Sequence, residues 1–144
     1  MEFGHFLPSI NTSISNINAL DVNPRHQLYA FGGENGLVEL WDPRNNKNVA
    51  SLSSDENSSV DITALSFSNN GLEFSVANAD GNVSIYDLRS SIPTITKLHP
   101  YGYSIKSLFW LDYEINGNLK NKIVSMDKKM LKIWDSRTVD KNWF

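Results

Sequence analysis

Short runs of about five or six residues, rich in β-branched and aromatic side chains and partly alternating between apolar and polar, are set apart along this chain by turn-forming residues. No ten-residue stretch carries a helical period. A period of two is what a half-buried strand shows. The runs fall into three groups. The first is Ile17–Val22, Leu28–Gly33 and Leu37–Asp42; the second is Ile62–Phe67, Glu73–Ala77 and Val83–Asp87; the third is Ile105–Trp110, Lys122–Met126 and Leu131–Asp135. Outer strands fit Asn48–Leu52 and Thr94–Leu98. Asn35-Gly36 and Asp80-Gly81 sit between strand runs and accept the positive φ angles of a tight hairpin. Asn23-Pro24 and Asn69-Asn70-Gly71 separate a first strand from a second. The polar stretch Ser53–Ser59 reads as a loop within one domain.

Each group closes on the same phrase: Trp41-Asp42-Pro43-Arg44, Tyr86-Asp87-Leu88-Arg89 and Trp134-Asp135-Ser136-Arg137. The aspartates lie 45 and then 48 residues apart. Four short antiparallel strands at such a period make a propeller blade. The expected fold is therefore all-β, a partial β-propeller of three four-stranded blades in an incomplete ring. Residues 1–16 are expected to be a lead-in or the outer strand of a preceding blade, with blade units at 17–60, 61–104 and 105–144, the last truncated. Trp41, Tyr86 and Trp134 occupy equivalent places and read as core between blades; Trp110 extends a first strand and reads as core too. Asp42, Asp87 and Asp135 finish strands, and Gly36 and Gly81 supply turns.

A propeller ring closes with four to eight blades. Three leave two apolar faces open, which predicts a fragment of a longer ring that self-associates through those faces when isolated. Two copies making six blades is one sensible closure.

The Trp-Asp dipeptide ending a third strand, with Asp-Gly five or six residues earlier, resembles the WD-repeat family over nearly the whole chain. There are departures. The usual Gly-His is absent from its position before the first strand in all three units, Tyr86 replaces a tryptophan, and unit three has Lys128-Lys129 where a glycine turn is usual. Unit three also carries an insertion around Tyr113–Asn121. Without Gly-His, the buried His–Asp network known in that family is not expected here. A closer resemblance rests on Gly4-His5-Phe6-Leu7-Pro8, the run Gly36–Arg44, Tyr86-Asp87-Leu88-Arg89 and above all Tyr101-Gly102-Tyr103-Ser104-Ile105-Lys106-Ser107. Together they resemble the nucleolar protein 10 family, called essential nuclear protein 2 in fungi. That resemblance implies a non-catalytic nucleolar scaffold of the small-subunit processome in ribosome biogenesis and rRNA processing. It implies ribosome assembly factors, and pre-rRNA, as partners.

Composition narrows the chemistry. The 144 residues are 40% hydrophobic and 20% charged, with no cysteine, so disulfides and thiolate metal sites are excluded. No long apolar run and no signal peptide stand out, which leads to the expectation of a soluble intracellular protein with no membrane partner. Net charge is −3, but residues 1–72 hold three basic and eight acidic side chains while residues 73–144 hold ten and eight.

Candidate contacts follow from position. Tyr101, Tyr103 and Lys106 lie in the loop leading into unit three, where propellers hold partners. Lys128 and Lys129 fall on a hairpin tip, with Lys120 and Lys122 expected nearby in the insertion, a set suited to rRNA phosphates. Asp42/Arg44, Asp87/Arg89 and Asp135/Arg137 point the same way along a strand and read as strand-end salt bridges. Their alternative reading is by resemblance: substrate receptors of cullin-type ubiquitin ligases carry a similar Trp-Asp-x-Arg ending whose arginine helps bind the adaptor. His5, His26 and His99 read as loop or surface residues. No Ser–His–acid set, metal spacing or phosphate loop stands out, so neither an enzyme nor a cofactor is expected.

Overall fold

The computed structural model describes residues 9–53 and 59–137. Among these described residues, eleven strands build three antiparallel sheets. The first holds β1 (Ile17–Val22), β2 (Tyr29–Gly33), β3 (Leu37–Asp42) and β4 (Lys47–Ser53) in that order. The second holds β5 (Ile62–Phe67), β6 (Glu73–Asn78), β7 (Asn82–Asp87) and β8 (Ile95–Leu98). The third holds β9 (Ser107–Ile115), β10 (Asn118–Met126) and β11 (Leu131–Asp135). This blade has three strands, not the expected four, among the described residues; Trp143 and Phe144 lie outside them, as does Gly4–Pro8.

Turn chemistry explains the hairpins. Asn35 and Gly36 both take positive φ, 61° and 68°. At Asp80-Gly81 only the glycine does, at 85°, because Gly81 N–H closes a turn onto the Asn78 carbonyl. The insertion in unit three proves to be a lengthened hairpin. Asn116 and Gly117 (φ 52° and 77°) form the tip, and Tyr113 pairs with Lys120 behind it. Its first strand starts at Ser107, two residues later than the pattern suggested.

Directly paired residues share a face of a sheet, and the faces sort cleanly. Ala30, Val38, Leu40 and Leu52 of blade one pack on Ile62, Leu65, Phe67, Phe74, Val76 and Tyr86 of blade two. The opposite face of blade two, with Ala64, Ala77, Val83 and Ile85, packs on Leu108, Trp110, Ile123 and Trp134. The middle blade is thus buried on both sides. Polar bonds cross the same seams: Asp21 Oδ2 accepts the Phe67 N–H (2.7 Å), and Asn23 Nδ2 donates to the Gly71 carbonyl (2.9 Å). Trp110 Nε1 donates to Ser66 O and Ser75 Oγ, each at 3.0 Å.

The two outer faces differ. On blade one, residues 9–16 form no strand and lie over Phe31 and Trp41, with Ile14 buried between them. Beneath this strap the buried Glu39 carboxylate accepts hydrogen bonds from Thr12 Oγ1 (2.8 Å), Ser13 N–H (3.1 Å), Ser13 Oγ and Trp41 Nε1 (2.9 Å). Gly33 admits the strap, since a Cβ there would sit 1.8 Å from Asn16 O. Burial pushes the Glu39 carboxyl up, but the donors from Ser13, Trp41 and Thr12 outweigh it and hold it below the ordinary carboxylate range. A depressed carboxyl lends stability above its unfolded pKa and loses it as pH falls through the folded value. Acid titration is therefore expected to release the strap below about pH 4.5, the unfolded carboxylate range. Intrinsic tryptophan fluorescence should report this through Trp41. The E39Q variant should lack that step; the same acid transition in both proteins would refute the assignment. Blade three has no such cover among the described residues: Phe109, Leu111, Met126, Leu131 and Ile133, all on its outward face, stay 38–55% exposed.

Candidate functional site

The loop from His99 to Lys106 connects β8 to β9 and meets the turn Asp127–Met130 between β10 and β11. His99 holds the two together. Its ring is fully buried, with Nδ1 2.9 Å from Asp127 Oδ2 and Nε2 2.7 Å from Ser125 Oγ. His99 is a loop residue, as expected, but a buried one rather than one at the surface, and the His–Asp network not expected from the sequence is present in unit three. The missing Gly-His signal was misleading, because His-Pro supplies the ring instead. Asp127 completes the knot by accepting Lys129 N–H (2.7 Å) and Met130 N–H (2.8 Å). Burial raises the Asp127 carboxyl, yet those amides and the imidazole bring it below the ordinary carboxylate range.

The same three residues have the bonding order of a hydrolase triad, a set the sequence had not revealed. A triad needs its serine exposed to a substrate carbonyl. Here Ser125 and His99 are 0% exposed, so the set is a structural latch.

The latch positions two features that sequence had singled out separately. Further backbone bonds run from Gly102 N–H to His99 O, Ile105 N–H to Asn78 O, and Lys106 N–H to Met126 O. Gly81 lets the loop approach, as a Cβ there would meet Tyr103 O at 2.9 Å. The Tyr101 and Tyr103 rings lie 6.0 Å apart. Lys128 Nζ sits 3.9 Å from the Tyr103 ring centre, and Lys129 Nζ lies 5.4 Å from Tyr103 and 5.8 Å from Tyr101. Electron-rich ring faces attract such ammonium groups. Tyr101, Lys106, Lys128 and Lys129 are all exposed. The result is one aromatic and cationic surface at one end of the blades, built by loop and hairpin tip together.

Lys120 and Lys122 do not join it. They stand on β10, Lys122 four and Lys120 six residues before its end at Met126, roughly 13–20 Å down the strand from the tip. Lys122 instead lies 5.5 Å over the Tyr113 ring. The expected cluster of four lysines is thus two separate pairs, because the insertion is a straight hairpin rather than a loop folding back.

The Asp-x-Arg phrases behave as strand-end caps in two units. Arg44 grips Asp42 through Nε and Nη2, both at 3.0 Å, and Arg89 grips Asp87 at 3.0 and 2.9 Å. The Arg89 bonds draw the Asp87 carboxyl down to about 2, and Arg44 lowers Asp42 likewise. In unit three, among the described residues, Asp135 accepts the Arg137 backbone N–H alone (3.0 Å). Trp41, Tyr86 and Trp134 are buried at equivalent places.

Three meandering sheets stacked face to face, with a buried His–Asp latch and a Trp-Asp strand ending, define a WD-repeat β-propeller domain. The family described as "Nucleolar protein 10-like, N-terminal domain" matches residues 1–144. The chain is 38% identical over 155 residues to the ribosome biogenesis protein enp2 homolog of Schizosaccharomyces pombe, covering 96% of this chain and 24% of that one. It is 39% identical to the ribosome biogenesis protein ENP2 of Saccharomyces cerevisiae, over 94% of this chain and 19% of that protein. With human nucleolar protein 10 it shares 35%, over 96% and 20% respectively. The chain belongs to the nucleolar protein 10 family, and it spans about a fifth to a quarter of the length of these relatives.

Proposed function

We propose that this domain is a non-catalytic scaffold of ribosome biogenesis. In this reading it works in the nucleolus within the small-subunit processome and docks assembly factors and pre-rRNA through the Tyr101–Lys106 loop and the Lys128–Lys129 tip. The observation that carries the reading is the convergence of those two segments over the His99 latch. Rings that hold lysines in place reduce the entropy lost when the ammonium groups meet a phosphate or carboxylate. The names of the relatives support the biological setting.

Exchanging Tyr101 and Tyr103 for alanine and Lys128 and Lys129 for glutamate in the full-length protein tests it. Affinity purification is expected to lose assembly factors and precursor rRNA at least several-fold while the circular dichroism spectrum stays unchanged. Undiminished recovery, or recovery of a cullin adaptor in place of assembly factors, would count against it. The isolated 144-residue chain is further expected to self-associate through the apolar face of blade three. Sedimentation of a well-folded, monodisperse monomer would refute that expectation.

A further inference from the structure

The acidic first half of the chain has only three basic side chains, Arg25, Arg44 and Lys47. Folding gathers all three at one rim of blade one. Arg25 lies in the β1–β2 loop, Arg44 in the β3–β4 turn, and Lys47 opens β4 opposite Asp42. This is the end of the blades away from the Tyr101–Lys129 surface, because the β2–β3 and β10–β11 turns lie at the other end of their strands. An open cleft of about 540 Å³ separates the two arginines, lined by Arg25, His26, Gln27, Leu28 and Arg44.

The cleft is held from below. Buried Asn23 accepts Arg25 N–H (2.9 Å) and His26 N–H (3.0 Å) on Oδ1 while its Nδ2 is tied to blade two. Arg25 Nε donates to Asn69 O (3.4 Å), and Arg44 is fixed by Asp42. Each guanidinium is thus anchored on one edge. Nη1 and Nη2 of Arg25 and Nη1 of Arg44 meet no hydrogen-bond acceptor among the described residues. Asp42, the carboxylate in contact with the site, is already neutralised by Arg44. The outer edge of Arg25 (Nη1 and Nη2) and Nη1 of Arg44, whose Nε/Nη2 fork is taken by Asp42, are left as donors that match the oxygens of a phosphate.

We propose that this cleft binds the phosphate groups of an RNA backbone. A shallow, open cleft with a third cation beside it suits consecutive phosphodiesters of a strand better than one phosphorylated side chain, which a closed pocket would grip. The inference goes beyond the proposed scaffold face, which lies at the other end of the blades.

The test is fluorescence anisotropy of a labelled single-stranded RNA with the full-length protein, titrated at several salt concentrations. The variants are R25S/R44S and, as comparison, K128E/K129E. Each phosphate contact to a single strand contributes about 0.7 to the slope of log affinity against log salt. R25S/R44S is expected to reduce that slope by about 1.4 and to weaken binding roughly ten-fold at 0.1 M salt. R25S alone, which leaves the Asp42–Arg44 pair intact, is expected to take about half of the slope change and guards against misfolding of the double variant. Unchanged affinity and slope in correctly melting R25S/R44S would overturn the proposal. So would full displacement of the RNA by millimolar inorganic phosphate, the mark of a free-anion site, or binding of a phosphoserine peptide that R25S/R44S abolishes while RNA binding persists. Failure here is separable from failure of the scaffold reading, which is judged by assembly-factor recovery with Lys128 and Lys129 altered.

Discussion

Replacing His99 with alanine is expected to cost about 2–4 kcal/mol, because a buried partner left unsatisfied costs about 1–3 kcal/mol and His99 serves two such partners. The alanine removes the ring contacts to Ser125 Oγ and Asp127 Oδ2, both on buried residues. For a chain of this length a loss of that size lowers the melting temperature by roughly 5–15 °C. The effect extends to the surface. His99 O accepts Gly102 N–H, and Asp127 accepts the amides of Lys129 and Met130. Loosening the knot should let Tyr101, Tyr103 and Lys128 drift apart. Amide hydrogen exchange at Gly102 and Lys129 is expected to accelerate more than at Val76, in the middle blade. H99N keeps one amide donor near Asp127 and should fall between the two. A wild-type melting curve for the alanine variant would show that the ring is a passenger.

The second large effect is expected at Trp110. The residue is 7% exposed, within the core between blades two and three, and Nε1 donates to both Ser66 O and Ser75 Oγ across that seam. Truncating a buried tryptophan to alanine costs about 3–5 kcal/mol through lost burial and the cavity left behind. W110F keeps most of the volume and loses the indole N–H, while Ser75 Oγ still donates to Ser66 O (3.2 Å), so a smaller cost of about 1–2 kcal/mol is expected. Chemical denaturation of both variants checks this, and the difference separates packing from hydrogen bonding. If W110A melted no earlier than W110F, the blade seam would not depend on this side chain.

How much of the molecule the sequence disclosed depends on the range of the interaction. Short apolar runs and the turns between them identified every strand of the first two blades to within about a residue or two, because these strands are bounded by turn residues and the inner ones are buried on both faces. It missed the extension of β9 and β10, although Asn116-Gly117 is the same hairpin dipeptide as Asn35-Gly36. The run Leu111-Asp112-Tyr113-Glu114-Ile115 alternates at every position, so a strand signal was present there, although the run stays largely exposed. The tyrosine loop and the lysine tip were each visible as sequence features, but their contact was not.

The sequence by itself determined the blades: the repeated Trp/Tyr-Asp-x-Arg phrase, the turn dipeptides and the period of two specify strand order and core faces. These are local choices, made within forty-odd residues and enforced by hydrophobic burial. Tertiary structure alone decided what the ends of the blades present. It set His99 against Ser125 and Asp127, 26 and 28 residues away, and Tyr103 under Lys128. It brought Arg25 and Arg44 to one cleft and laid the strap on Glu39. Those meetings are directional polar contacts between loops. Their geometry exists only after the sheets have stacked, and no periodicity of the chain encodes it.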